Sequence, residues 1–301
     1  MGGWSSEREV SRASAVQVIK ALDELGHAVT AIDVNKNVAD LLARLDPRPD
    51  IVFNALHGQG GEDGRIQSIL DLLRIPYTHS GVAASAIAMN KSLTKTLLRA
   101  HGIQSPEGIV VERADLLLGH PLPPPYVVKP LSEGSSIGVQ IVDAGMSVGR
   151  LTQTISQARG PLLVERFIPG RELTVGVLAD RALCVTEIVS GAAHFSYDAK
   201  YAPNQAHHIL PADIPPTVAD TALEWALMAH RVLGCSGISR SDFRYFDRGG
   251  NSESPDNLYF LEINTQPGLT PTSLLPEQAL KFGISFPELI SWILDHSVQP
   301  E

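Results

Sequence analysis

Apolar residues recur at helical spacing in Val18, Ile19, Leu22 and Leu25, and short apolar runs at 29–32 and 51–55 have strand length. Helices and strands alternating over residues 1–88 predict a doubly wound parallel sheet. Ser6 followed by Glu9 has capping-box spacing, which predicts a helix start just after the Gly2-Gly3 turn. A glycine turn that opens a helix normally follows a strand. Only Met1 precedes it here, so a strand of about five residues is expected upstream and the start reads as truncated.

Residues 89–178 predict a helix at 91–100 and short strands at 126–129, 139–142 and 162–167, with a Gly/Ser loop between the first two strands. From 179 to 301 come two apolar strand-like stretches, a polar loop at 191–208, a helix at 218–232, a hairpin within 239–264 and a helical tail. The pattern therefore divides into three domains, 1–88, 89–178 and 179–301. Repeats and low-complexity segments are absent, and the proline-rich stretch at 120–126 leads into a strand rather than linking domains.

With 301 residues, 44% hydrophobic and 19% charged, the chain has the composition of a globular protein able to bury several small cores. No apolar run approaches the roughly 18 residues of a membrane span. A net charge of -9 without a basic run disfavours nucleic acid as a partner. The two cysteines, Cys184 and Cys235, make neither a disulfide framework nor a C-x-x-C site. Together with the lack of a secretory signal, this fits a cytoplasmic protein.

Candidate chemistry concentrates in three places. In SRSDFRYFD (239–247) and LYFLEIN (258–264), alternation puts Arg240 with Asp242 on one face and Glu262 with Asn264 on one face. If the strands pair with Asp242 opposite Glu262, Arg240 falls opposite Asn264 and four polar groups converge beside Phe260 and Leu258. Such oxygen donors suit a hard ion like Mg²⁺, although a solvated strand pair with an Arg–Asp contact suits the pattern equally. Lys129 ends an apolar strand before a loop with Gly134, Ser135, Ser136 and Gly138. The segment reads as a flap over phosphates or as an ordinary hairpin, and it is no Walker A loop. NALHGQGGEDG (54–64) sets His57, Glu62 and Asp63 among four glycines at a strand end, where doubly wound sheets line their clefts, although a lone histidine is more often structural. No G-x-S-x-G or H-E-x-x-H motif supports a hydrolase or zinc reading.

In chain order, GGWSSEREVS, HGQGGEDGRIQ, AMNKSLTK, YVVKPLSEGSSIGV, LLVERFIPGRELTV, FSYDAKY, GISRSDF and LEINTQPGLTPTSLLP resemble the D-alanine–D-alanine ligases over almost the whole chain. The resemblance implies a three-domain ATP-grasp architecture of mixed α/β and α+β class, with ATP clamped between the central and C-terminal domains. It implies that Lys91 and Lys129 hold ATP phosphates, that Glu165, Phe167, Ile168 and Glu172 contact adenine and ribose, and that Lys200 reaches the transferred phosphate. Asp242, Glu262 and Asn264 match ligands of two Mg²⁺ ions, with Mn²⁺ as a substitute. Glu7 matches the carboxylate that binds the ammonium of the first D-alanine, networked with Ser135 and Tyr201. Arg240 and the Gly268 amide match stabilisers of a tetrahedral intermediate, Ser273 and Leu274 match contacts to the second D-alanine, and His57 matches a cleft residue.

The implied activity is ATP-dependent formation of D-alanyl-D-alanine through an acyl phosphate, for peptidoglycan synthesis, in a homodimer, with loop 191–208 as a lid. Asn90 stands where the family usually has Asp, and Phe195 and Ser196 where Tyr and Asp are common. Alternatives are another ATP-grasp carboxylate–amine ligase, or a nucleotide-binding protein inactive through its shortened start.

Overall fold

A computed structural model of the chain describes residues 1–116, 118–135, 137–146, 160–190, 206–247, 254–270 and 272–300. The first helix, α1 (Arg8–Glu24), starts without the predicted capping box: Glu7 is its N-cap and makes no side-chain cap bond. Ser6 and Glu9 are exposed, and it is Ser5 that turns inward. Its hydroxyl donates to the His57 carbonyl at 2.6 Å and accepts from the Glu7 amide at 3.2 Å.

The predicted parallel pairing is present as single bridges, Gly2 to Val34 and Val52 to Tyr77, rather than as ladders. Side chains divert the next amides: the Gly2 N–H goes to Ser11 Oγ at 2.8 Å and the Asn54 N–H to Thr78 Oγ1 at 3.0 Å. The Met1 carbonyl accepts from the Val34 amide at 2.9 Å and the Gly3 amide donates to the Val34 carbonyl at 3.0 Å, so the glycine turn itself carries this bridge. Helices α2 (Val38–Arg44) and α3 (Arg65–Leu72) close this part over a core that includes Leu41, Leu56, Ile66, Leu70 and Tyr77. Next come α4 (Val82–Met89) and α5 (Lys91–Arg99), and Asn90 caps α5 by accepting from the Leu93 amide at 3.1 Å. The amide oxygen of Asn serves as an N-cap as well as Asp does.

The central part is a four-stranded antiparallel sheet in the order β1-β4-β2-β3. Its elements are β1 (Gly108–Val111), the short α6 (Arg113–Leu116), β2 (Tyr126–Pro130), β3 (Gln140–Val142) and β4 (Leu162–Arg166). Tyr126, Val128, Val142, Leu162 and Val164 fill its core with Leu116.

The C-terminal sheet has five strands, β5 (Arg171–Leu178), β6 (Arg181–Ser190), β7 (Ala206–Ile209), β8 (Ile238–Tyr245) and β9 (Leu258–Asn264), in the order β7-β6-β5-β8-β9. Because β7 begins at Ala206, the predicted loop 191–208 gives up its last residues to a strand; 191–205 lie outside the described residues. On strand pairing we propose that the boundary of the C-terminal domain precedes β5 rather than following residue 178, since β5 is bonded to β6 and β8.

Alternation along β5 sends Leu173, Val175 and Val177 to one side, where they meet Phe243, Tyr245, Phe260 and the alanines 222, 226 and 229 of α7 (Pro216–Val232). The other side faces α8 (Leu274–Lys281), whose Gln278 accepts from the Gly176 amide at 2.7 Å. Behind α8, Leu289, Ile290 and Ile293 of α9 (Phe286–Asp295) pack with Val18, Ala21 and Leu22 of α1. Each fully buried Val, Leu or Ile side chain here contributes about 1.5–3 kcal/mol, so this cluster fixes the N-terminal part against the C-terminal sheet. Among the described residues no helix is long and apolar enough to cross a membrane.

The β8–β9 hairpin forms in the register in which Arg240 faces Asn264 and Asp242 faces Glu262, with one change to the reading from alternation. Phe243 pairs with Phe260, so Leu261 is an extra residue, a β-bulge. Leu258 and Phe260 therefore point into the α7 core, and Glu262 and Asn264 emerge on the opposite face. The apolar pair is not beside the polar groups, as strict alternation requires, but behind them.

Candidate active site

Two clefts meet above this hairpin. The first is lined by Glu7, His57, Glu62, Gly134, Ser135, Arg240, Asn264, Gly268, Ser273 and Leu274; the second by Lys129, Ile137, Glu165, Phe167, Ile168 and Glu172. Lys91, Glu133, Asp242 and Glu262 line both, so the clefts join at a carboxylate pair and a lysine. Every predicted site residue outside the undescribed stretch borders one cleft or the other. Lys200 and Tyr201, and the lid assigned to their segment, lie outside the described residues.

At the junction, the β8 alternation that sends Phe243 inward brings Arg240 and Asp242 out. Arg240 grips Asp242 with two hydrogen bonds of 2.9 Å, and Thr174 donates to Asp242 Oδ1 at 2.6 Å. Lys91, at the start of α5, places its ammonium 3.2 Å from Glu262 Oε2 and donates to the Glu133 carbonyl at 2.5 Å. Asn264 accepts from the Gln266 amide at 2.7 Å. Two carboxylates and an amide oxygen, partnered here by cations and N–H donors, form the hard-oxygen set that suits Mg²⁺ or Mn²⁺. Among the described residues there is no cluster of three His, Cys, Asp or Glu side chains that could hold a metal. Any ion here would therefore complete its shell with the amide, water or substrate oxygens.

In the first cleft Glu7 is buried at 4% exposure against the Gly134–Ser135 loop, and Ser135 donates to its Oε1. Glu7 Oε2 has no hydrogen-bond partner among the described residues. Burial, reinforced by the charge of Glu62 and opposed by the Ser135 hydrogen bond, pushes the Glu7 carboxyl up to about 7. The glycines explain the close approach. A Cβ at Gly58, whose φ is +68°, would sit 2.6 Å from Glu7 Oε2, and one at Gly134 would sit 2.9 Å away. Ser135 itself is held at φ +52°, an uncommon conformation for a residue with a side chain and one that concentrates at functional sites.

His57 lies behind Glu7 and is buried, with Nδ1 2.8 Å from Glu62 Oε1 and Nε2 3.3 Å from Ser14 Oγ. Burial disfavours the charged imidazole, yet Glu62 and then Glu7 outweigh it and raise its pKa above the usual value. It is an oriented, anion-backed group, not a solvated one. Across the cleft, Ser273 closes the turn that presents Gly268: its hydroxyl accepts from the Thr270 amide at 2.9 Å at the N-cap of α8.

The second cleft rests on a buried ionic cluster. Glu165 is 2% exposed and takes Lys129 on Oε1 and Lys95 on Oε2. Burial alone would neutralise it; the two lysines instead hold its pKa below the ordinary carboxylate value. Burial draws Lys95 down to about 8, whereas Glu165 and Glu262 overcome burial at Lys129 and raise it.

Several contributors escape the sequence reading. Lys95 was legible as the residue one helical turn after Lys91, on the same face of α5. Gln266 had no such signal: its amide donates to the Asn54 carbonyl at 3.0 Å and to the Leu56 carbonyl, and its oxygen accepts from Asn54 Nδ2 at 2.9 Å. Those bonds tie the His57 loop to the end of β9 across 212 residues. His208, which lines the first cleft from β7, lies 2.6 Å from Glu277 of α8.

Known proteins similar to this chain are numerous. A family model described as D-ala D-ala ligase C-terminus matches residues 97–295, and one described as D-ala D-ala ligase N-terminus matches 40–80. The chain is 51% identical over 302 residues to the D-alanine--D-alanine ligase of Rhizorhabdus wittichii, covering 99% of this chain and 95% of the relative. It is 51% identical over 301 residues to that of Gluconobacter oxydans, covering 98% and 96%. The crystal structure of D-alanine--D-alanine ligase from Bacillus anthracis superposes with a TM-score of 0.80 at 30% identity, covering 98% of this chain and 95% of that one. The same enzyme complexed with ATP superposes with a TM-score of 0.79.

Proposed function

The chain belongs to the D-alanine–D-alanine ligase family, and from that premise we propose how its residues divide the work. The enzyme is an ATP-dependent ligase that joins two D-alanines for cell-wall synthesis through an acyl phosphate. The γ-phosphoryl group passes from ATP to the carboxylate of the first D-alanine, the amine of the second attacks the resulting carbonyl, and phosphate leaves. The observation that carries the residue assignment is the junction of two clefts at Lys91, Glu133, Asp242 and Glu262.

In this reading Glu7, supported by Ser135 and His57, receives the ammonium of the first D-alanine. Lys91 and Lys129 hold the phosphates while Phe167, Ile168, Glu165 and Glu172 receive the nucleoside. Lys200 and Tyr201 act from the lid. Arg240 and the Gly268 amide face the oxyanion that develops at the attacked carbonyl, and donors aimed at developing charge are each worth about a hundredfold or more in turnover. Ser273 and Leu274, opening α8, receive the carboxylate of the second D-alanine, where helix N–H groups favour an anion. Asp242, Glu262 and Asn264 would hold Mg²⁺ or Mn²⁺, two ions in all, which when bound neutralise phosphate charge. A cytoplasmic homodimer completes the proposal, and light scattering of the purified protein tests the dimer.

The deciding experiment is phosphate release from ATP as a function of amino acid. D-alanine should drive it, with D-alanyl-D-alanine as product. Faster turnover with L-alanine, D-lactate or another acid would overturn the substrate while leaving the ATP-grasp class. No turnover with any of them would favour a nucleotide-binding protein.

A further inference from the structure

Glu165 is a single buried anion held by two buried lysines, which is one cation more than its charge requires. The two are not equivalent. Lys129 and Glu165 line the nucleotide cleft, whereas Lys95 approaches from behind, on α5, one turn beyond Lys91. Strand β1 closes the remaining side, since a Cβ at Gly108 would lie 2.8 Å from Glu165 Cβ. The carboxylate is thus fixed in place with one lysine in front and one at its back.

We propose that Lys95 is a positioning residue for nucleotide binding. It keeps Glu165 charge-compensated when Lys129 leaves it for the phosphates of ATP. The inference rests on Lys129 being a phosphate-binding group. In the ligand-free state both carboxylate oxygens are occupied, one by each lysine. When polyphosphate enters, Lys129 exchanges a carboxylate for a phosphate at little electrostatic cost, because Lys95 remains on Oε2. Oε1 then faces the cleft as an acceptor for a donor group of the nucleotide. Without Lys95, the same exchange would strand an ionised carboxylate in a buried site.

The test measures binding of the non-hydrolysable analogue AMP-PNP with Mg²⁺ to the full-length enzyme, beside steady-state kinetics. Lys95→Met should weaken AMP-PNP about a hundredfold or more, the effect of a stranded buried charge. The KM for ATP should rise while both D-alanine constants hold. Lys95→Arg should recover most of the binding. The pair Lys95→Met with Glu165→Gln removes both charges and keeps the protein measurable if the single variant does not fold; it should bind as Glu165→Gln alone does. A change below about threefold in Lys95→Met, or strictly additive effects of the two substitutions, would overturn the hand-over. Unchanged binding by Lys129→Met would remove its premise, a failure distinguishable because it leaves Lys129 itself without a role at the phosphates.

Discussion

Replacing Glu7 with glutamine should make the enzyme more stable and inactive at once. The carboxyl stands at about 7 in the folded protein against 4.5 for a free one, so the folded state binds its proton more tightly than the unfolded state does. Stability from this group is fully present below pH 4.5 and is lost as pH rises through about 7. Once ionised, the carboxylate costs the native state roughly 3 kcal/mol. Glutamine keeps an oxygen for the Ser135 hydroxyl and never ionises. Thermal melts of the two proteins should nearly coincide at pH 4.5 and separate at pH 8.5, where the variant melts several degrees higher, on the scale of about 2–4 °C per kcal/mol for chains of this order. Turnover should fall by orders of magnitude, because on the proposed assignment the ammonium of the first D-alanine loses its counter-charge. In the wild type, kcat/KM for that substrate should decline as pH drops below about 7. A Glu7→Gln variant less stable than wild type at pH 8.5 would refute the reasoning, since it would mean that the buried carboxylate stabilises the fold.

Glu262→Gln should abolish turnover through loss of a metal-binding oxygen, with little effect on melting because Glu262 is partly exposed; unchanged activity at limiting Mg²⁺ would contradict the hairpin assignment. Gln266→Ala should cost about 2–4 kcal/mol in a urea titration, because it leaves the buried carbonyls of Asn54 and Leu56 without their donor. It should also lower kcat, as the His57 loop loses its attachment to β9; wild-type stability would show that water replaces the side chain at no cost.

The polar hairpin was legible in sequence because alternation is a local property: Arg240, Asp242, Glu262 and Asn264 fall at intervals of two, and turn formers separate the strands. The strands around Lys129 and Glu165 and the helices of the C-terminal part follow from apolar spacing for the same reason. Apart from the Leu261 bulge, the departures below involve choices made between distant atoms. Which serine enters the α1 start was decided by the His57 carbonyl, 52 residues away. Parallel ladders shrank to single bridges where Ser11 and Thr78 hydroxyls intercepted amides. The Asn54–Gln266 link joins two amides 212 residues apart, neither marked by any local sequence pattern.

The extra residue at Leu261 divides β9 into two reading frames. Ahead of it, even positions face the core and odd ones the cleft side; after it the meanings exchange, so one seven-residue strand walls a hydrophobic interior with Leu258, Phe260 and Ile263 and the proposed ion site with Glu262 and Asn264. A substitution anywhere along the strand changes one side chain and leaves both frames standing. Deletion of Leu261 would instead force a choice, turning either Glu262 and Asn264 into the α7 interior or Leu258 and Phe260 out of it. The strand is accordingly tolerant in spelling and intolerant in length.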